Sequence, residues 1–468
     1  MARAELIRAA FRLCQRRQRP LRTTVLRDTR EFASLQEEWD ELYENCPLAT
    51  PFQSWTWLYS WWEVYGEDYQ LRLITVRDGG GLLVGLLPLM VSRGPSLGRL
   101  LLVGGDKHTL YSDVMTPYKD VLIREGSEEL VAQAGARALK ELDGWRVADL
   151  QELMPQAAAW NIFREWDGPK TTVPIVDYVL IRADSSWEEL LSSLSRKLRK
   201  TARRTLRSAK EDGLRCKPAD LQGAERAART LVELHRELWR GRRIAPEHLT
   251  PRYEAFMQAA ARRMTARGIG RISEFRRGDG EVLVSQFLVF DKDFVGVSLT
   301  GASDEVSRRY QFETLSNWDA TNVARGRGNP YVSFMDGTSW DKLRWASEVV
   351  SSHRAILGRR RASLWLPYAG YHVLRDRYLA LRSKVQVIAH SESAPPWVRN
   401  AIERYYTLLR RHVHSESAPR WIRSVTERYW QLRGVYGYGW LRYRFELART
   451  RRDTHRSNYL ARARSNRR

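Results

Sequence analysis

The sequence is poor in cysteine. Only Cys14, Cys46 and Cys216 occur in 468 residues, none close to another and none in a Cys-x-x-Cys pair. That spacing argues against a disulfide scaffold and a structural zinc site, and it fits a reducing compartment. Long apolar runs are also lacking. The longest, GLLVGLLPLMV (81–91), is too short to span a bilayer and contains Pro88. The opening MARAELIRAAFRLCQRRQRP is basic but has no apolar stretch of secretory-signal length. It reads as a frayed tail or as a short amphipathic helix with Leu6, Ala9, Ala10 and Leu13 on one face. No Gly-x-Ser-x-Gly, Walker loop or paired-carboxylate motif is present, and DGGG (78–81) is a hairpin turn rather than a dinucleotide loop. His412 and His414 have no acid or cysteine cluster to complete a ligand set, so no metal is expected.

What the chain does have is charge, concentrated at one end. It carries 78 basic and 55 acidic side chains, a net +23. Residues 352–468 hold 26 basic and 7 acidic ones, so +19 of that excess sits in the last quarter. The preceding 351 residues read as a nearly neutral globular body, and the 43% apolar content suffices for ordinary cores. The basic region contains a repeat. HSESAPPWVRNAIERYYTLLR (390–410) returns as HSESAPRWIRSVTERYWQLRG (414–434), with 12 of 21 positions identical at an offset of 24. Two copies are too few for a free-standing solenoid, so the region reads as a helical arm rich in Arg, Trp and Tyr. A polar tail follows at 449–468.

Along the body, helical spacing covers 30–46, and a second helix is expected over 55–65, capped by Ser54. That helix packs Trp55, Trp57, Trp61 and Trp62 into eight positions. Trp57, Leu58, Trp61 and Trp62 form a broad apolar face suited to packing on a sheet, and Trp55 is expected to face a cleft. Strands are expected at 71–76, 82–91 and 99–105, a helix at 127–142 and a strand at 145–153. The order then recurs. A helix over 186–213 carries an apolar stripe of Leu190, Leu194, Leu198, Ala202 and Leu206 and an otherwise basic surface. Helices near 221–240 and 250–267 follow, then strands 269–277, 282–290 and 294–301, a helix near 306–325 and a strand at 331–335. This points to an α+β body made of two related halves, 22–170 and 171–351, each a mostly antiparallel sheet flanked by helices, with a C-terminal α-helical arm at 352–448.

Several stretches resemble one family together. PFQSWTWLYSWWEVYG (51–66), RLITVRDGGGLLVGLLPLM (72–90), SRKLRKTARRTLRSAKEDG (195–213), LHRELWRGR (234–242) and FMDGTSWDKLRWASEV (334–349) are similar, in this order, to motifs of the CelD/BcsL-type acetyltransferases of the GNAT superfamily. Those proteins are linked to cellulose and other exopolysaccharide biosynthesis and are related to the two-halved Fem-type aminoacyl transferases. The resemblance covers roughly residues 22–350.

It implies an N-acyltransferase that moves an acyl group from acyl-CoA, acetyl-CoA in particular, to an amine. The acceptor would be a small molecule or a glycan precursor such as an amino sugar. Strands 294–300 and 331–335 would meet the pantetheine, with Ser298, Leu299 and Thr300 as contacts. The following helix start, with Arg308, Arg309 and Gln311, would receive the pyrophosphate. The sequence departs from the family there: Gln311-Phe312-Glu313 replaces a Ser-Pro-Gly, and Thr338 and Asp341 replace an acid and a Tyr in the closing motif.

Asp336 is a candidate base or a turn aspartate before Gly337. Lys342 and Arg344 form a candidate cationic clamp or a solvated pair. His235 and Trp239, four apart on one helix face, contact substrate or pack. His108 and Asp113 lie in a loop able to border the cleft. Two other readings use the basic charge. In one, aminoacyl-tRNA is the donor and the basic helix and arm hold RNA. In the other, a non-catalytic scaffold docks on anionic lipid or nucleic acid. The expected location is cytoplasmic, with peripheral attachment at the inner membrane face left open.

Overall fold

The structure is a computed structural model. It describes residues 21–93, 98–106, 114, 116–240, 244–337, 339–359 and 365–374. The N-terminal tail, His108, Asp113, the 24-residue repeat and the basic tail lie outside these residues.

The described strands form one sheet of thirteen. The N-terminal half supplies β1 (Arg22–Leu26), β2 (Tyr69–Arg77), β3 (Leu83–Ser92), β4 (Arg99–Leu102), β5 (Leu122–Ile123) and β6 (Val147–Leu153). The later strands are β7 (Lys170–Arg182), β8 (Arg215–Pro218), β9 (Gly270–Arg276), β10 (Val282–Phe290), β11 (Phe294–Ala302), β12 (Tyr331–Asp336) and β13 (Glu348–Gly358). Their order is β1-β2-β3-β4-β6-β13-β7-β12-β11-β10-β9-β8, with β5 on β3.

Read outward from the central β13–β7 pair, the two sides mirror each other. Each has one antiparallel neighbour, then one parallel pairing (β4 with β6, β11 with β12), then an antiparallel meander. The expected recurrence of order is therefore a recurrence of topology. The boundary expected at 351/352 falls inside β13, which pairs with β7 from Glu348 to Leu357 and with β6 from His353 to Gly358. The body therefore extends past it. A helix at 365–374 then buries Ala369 against Val147 and Ile356.

The helices are α1 (Thr29–Ser34), α2 (Gln36–Glu44), α3 (Trp55–Tyr65), α4 (Glu128–Glu141), α5 (Ala159–Glu165), α6 (Trp187–Ser193), α7 (Arg196–Glu211), α8 (Ala224–Leu238), α9 (Pro251–Arg267), α10 (Asp304–Arg309), α11 (Phe312–Arg327) and α12 (Trp340–Leu343). The helix expected over 186–213 is two helices. Leu194 is extended, and Ser195 accepts from Leu198 N to cap α7. The Ser195 hydroxyl there meets an N–H that the new helix start would otherwise leave without a partner. The helix expected near 306–325 is likewise split, because Tyr310 is extended.

All four tryptophans of α3 are buried. Each indole N–H has a partner: Trp55 on Phe32 O at 3.0 Å, Trp57 on Thr116 Oγ1 at 3.0 Å, Trp61 on Val114 O at 2.8 Å and Trp62 on Thr29 Oγ1 at 3.0 Å. Burial of so much ring surface is favourable only when the polar N–H is satisfied, and here it is. Phe256 of α9 meets Trp57 edge-on at 5.1 Å, so this cluster joins the two halves. No helix among the described residues is long and apolar enough to cross a membrane.

Candidate active site

Strands β11 and β12 are parallel neighbours over three pairs only, Phe294 with Tyr331, Val295 with Val332 and Gly296 with Ser333. Beyond these they part. Two local causes are visible. On β10, Phe287 pairs with Leu299 and Leu288 with Val297, so Ser298 is an extra residue, a bulge that bends β11. On β12, Met335 has φ 56° and the register with β7 shifts between Ser333 and Asp336, which turns this stretch away from β11, and Gly337 just past the strand has φ 94°. The Met335 side chain lies close over Gly296: a Cβ there would lie 2.0 Å from Met335 Cε and 2.7 Å from Val289 Cγ2. Past Gly296, β11 therefore has an edge that β12 does not cover. Ser298 and Thr300 are half-buried on it and Leu299 is buried.

That edge is bordered by two histidines. The α8 helix lies close on β11, and His235 Nδ1 is 2.8 Å from the Thr300 carbonyl oxygen. His235 Nε2 is 3.1 Å from His248 Nδ1. His248 sits on the 3₁₀ turn Pro246–Leu249, with its ring stacked on Tyr253 at 4.2 Å. Burial lowers the pKa of His235 to about 4 and that of His248 to about 3, so both rings are neutral. His248 was missed in the sequence, where APEHLT gives a lone histidine no visible partner. Trp239 is partly exposed, its ring 6.2 Å from His235.

At the end of β12, Asp336 is exposed, and its charge acts on both His248 and Lys342. Lys342 Nζ donates to the Phe334 carbonyl at 2.8 Å and to the Asp336 carbonyl at 2.6 Å. Burial pulls its pKa down, against the Asp336 charge. Arg344 points elsewhere, to Asp341 at 3.3 Å and Glu313 at 3.8 Å. With the Gln311 amide oxygen turned toward it, Arg344 Nη1 also donates to that oxygen at 3.0 Å. The expected Lys342–Arg344 clamp is thus not a joint feature. One cation caps the β12 turn, and the other ties α12 to the start of α11.

The expected pyrophosphate loop is also occupied by protein. Arg309 pairs with Asp212, and the Tyr310 hydroxyl donates to the same carboxylate. Gln311 N donates to Thr205 Oγ1 at 3.4 Å, and Thr314 Oγ1 lies 3.0 Å from the Gln311 amide. Arg308 lies in α10, and its side chain is outside the description. Trp55 does not face the cleft. It is stacked on Tyr59 at 4.4 Å within the core, because its N–H finds an acceptor there.

The matching gap in the N-terminal half is closed. Strands β4 and β6 pair only at Arg99–Val147 and Leu100–Ala148. Beyond them Gln151 Nε2 donates to Asp106 at 3.1 Å and to Asp149 at 2.8 Å. Arg99 lies 2.5 Å from Asp106, Arg354 3.5 Å from Asp149, and the Tyr368 hydroxyl donates to Asp149 at 2.7 Å. Charges buried this deeply are tolerated because each is paired. Of the two gaps, the one beside β11 shows no such bridge of buried ion pairs among the described residues, and past Gly296 the strand has no ladder partner on that side. No group of three or more His, Cys, Asp or Glu suited to a metal occurs among them.

Residues 196–345 match the family model described as an acetyltransferase (GNAT) domain. No curated protein matches the chain. Among solved structures it is similar to FemX at 12% identity over 73% of this chain and 98% of that one, with a TM-score of 0.50. It is also similar to a conserved protein of unknown function from Bacteroides thetaiotaomicron VPI-5482, at 12% identity, 71% and 100% coverage and a TM-score of 0.47. A third is the C-terminal domain of a putative lysylphosphatidylglycerol synthetase from Agrobacterium fabrum, at 11% identity, 73% and 96% coverage and a TM-score of 0.44. At these identities the likeness is one of fold: a mixed α+β tandem of two GNAT-like halves.

Proposed function

We propose that the protein is an N-acyltransferase that works at the opening between β11 and β12, taking an acyl group from acyl-CoA and passing it to an amine. The observation that carries this is the open edge of β11 with its bulge at Ser298. Backbone groups on such an edge suit an extended, amide-bearing chain such as pantetheine, and oriented N–H groups near the bulge suit a developing oxyanion. An amine attacks the thioester carbonyl, the C–S bond breaks, and a proton leaves the attacking nitrogen.

In this reading Ser298, Leu299 and Thr300 meet the donor, and Trp239 offers an indole face to the acceptor. Asp336 contributes negative charge beside the histidines. The resemblance to CelD/BcsL-type proteins supports an amino sugar or another polysaccharide precursor as acceptor. The occupied loop at 309–311 means that a pyrophosphate there would compete with Asp212 for Arg309.

A second reading keeps the site and changes the donor to aminoacyl-tRNA. The likeness to FemX over nearly all of that chain favours it, as does the exposed basic face of α7. The two are separated by thermal stabilisation of the full chain. A donor at a hundred times its Kd adds about 2.7 kcal/mol. A shift with acetyl-CoA or a longer acyl-CoA that Ser298→Trp abolishes supports the first reading. A salt-sensitive shift with tRNA and none with any CoA supports the second. A shift with neither refutes both and leaves a non-catalytic scaffold.

A further inference from the structure

The hydrogen bonds around His235 fix where the protons lie. The Thr300 carbonyl can only accept, so His235 Nδ1 carries the hydrogen. The ring is neutral, so His235 Nε2 is bare and must accept. The hydrogen between the two rings therefore belongs to His248 Nδ1. His248 is neutral as well, which leaves its Nε2 as a bare lone pair. That atom makes no hydrogen bond to the described residues, and the side chain is half-buried rather than sealed. A chain of two bonds thus anchors a free acceptor nitrogen beside the open edge of β11.

We propose that His248 Nε2 is the general base of the acyl transfer, with His235 as the positioning residue that holds its tautomer through the Thr300 carbonyl. This rests on the acyltransferase reading. As the amine nitrogen bonds to the acyl carbon, its proton moves to His248 Nε2. The C–S bond then breaks, and the departing thiolate takes a proton from His248 or from water. No other reactant is needed. While His248 holds the proton, its Nδ1–H stays on His235 Nε2, and the backbone carbonyl orients the positive charge.

The groups facing the relay suit this. Asp336, on β12, favours the protonated form of His248 and so supports proton uptake. Arg236 on α8 opposes it, but its guanidinium is shared among the His248 carbonyl, the Thr250 carbonyl and Glu254. Glu247, on the same turn, accepts from the Tyr65 hydroxyl at 3.1 Å and from Thr250 Oγ1 at 2.9 Å. Tyr253 covers the ring face from α9.

The tautomers are tested directly by NMR of the full chain labelled with 15N-histidine, with His235→Gln and His248→Ala used for assignment. The proposal expects His235 and His248 in the Nδ1–H form from pH 5 to pH 8. That is the minor form of free histidine, so packing alone does not predict it. An Nε2–H ring or an imidazolium at His248 in that range overturns the relay. This readout needs no substrate, so it stands even if no donor binds and the acyltransferase reading fails.

With turnover of acetyl-CoA and a panel of amines followed by thiol release, His248→Ala is expected to lower kcat by about 10²–10⁴-fold. The thermal shift with acetyl-CoA is kept, and free imidazole restores part of the rate. His235→Gln is expected to lower kcat with the donor KM unchanged and to move the acid limb of the pH profile upward, toward the ordinary histidine range. Full kcat in His248→Ala, or loss of the donor shift together with kcat, overturns the proposal.

Discussion

The pressure of α8 on β11 gives a sharp test through one residue. A Cβ on Gly301 would lie 2.5 Å from His235 N, 2.7 Å from Leu231 O and 2.8 Å from the Leu234 carbonyl carbon. All three are backbone atoms of one helix, so no side-chain rotation relieves the clash. Ordinary contact needs about 3.5 Å, so Gly301→Ala must push α8 back by about 1 Å. Overpacking of this kind costs about 1–3 kcal/mol, and the better strand propensity of Ala returns about 0.5–1 kcal/mol. The net loss expected is about 0–2.5 kcal/mol. The same displacement stretches the 2.8 Å contact between His235 Nδ1 and Thr300 O beyond hydrogen-bond range. Urea titration reads the stability, and the histidine NMR signals read the relay. Gly278→Ala is the control, since a Cβ there meets nothing within 4 Å. If Gly301→Ala were as stable as the parent with His235 still on Thr300, the close seating of α8 would be wrong.

Other outcomes follow from buried groups. Asp120 accepts from the Val121, Ala158 and Ala159 N–H groups, yet burial pushes its carboxyl up to about 7. A raised folded pKa gives stability that is complete below about 4 and is lost as pH rises through about 7. The stability difference between the parent and Asp120→Asn, measured by urea unfolding, should therefore shrink from pH 4 to pH 8. Asp291, raised to about 6, and the two histidines titrate in both proteins and cancel in that difference. Tyr368→Phe removes a buried bond to Asp149 and should cost about 1.5–3 kcal/mol, with earlier proteolysis near 365–374 as the local readout. Trp55→Phe removes one of the two N–H groups on the Phe32 carbonyl, which keeps Leu35 N, and should cost about 0.5–1.5 kcal/mol with donor Kd and amine KM unchanged. A raised amine KM would return Trp55 to the cleft.

Much of the body was legible because it is built on local periodicity. The tryptophan helix, the basic α7 and the meander β9–β11 announce themselves by apolar spacing, caps and turns. The two central strands did not. β13 reads EVVSSHRAILG, with Ser351, Ser352, His353 and Arg354 in its middle, and β7 contains Pro174. Polar residues at the centre of a sheet look wrong until their partners are known. Ser351 donates to Asp177 at 2.6 Å, and Arg354 lies against Asp149 at 3.5 Å, both from distant parts of the chain. The site shows the same division. Asp336 and Lys342 were marked by a motif, but the motif could not show that Lys342 bonds to backbone carbonyls while Arg344 turns to Glu313.

The sequence by itself determined the α+β class, the doubled order of elements and the cysteine-poor, basic-ended character of the chain, since each depends on composition or on neighbours a few residues apart. Tertiary structure decided which of two matching gaps is bridged by buried ion pairs, where β13 inserts, and which rings His235 and His248 bring together. Those outcomes depend on contacts between residues far apart in the chain, and a proton's position along a hydrogen-bonded relay is defined only once the relay has been assembled.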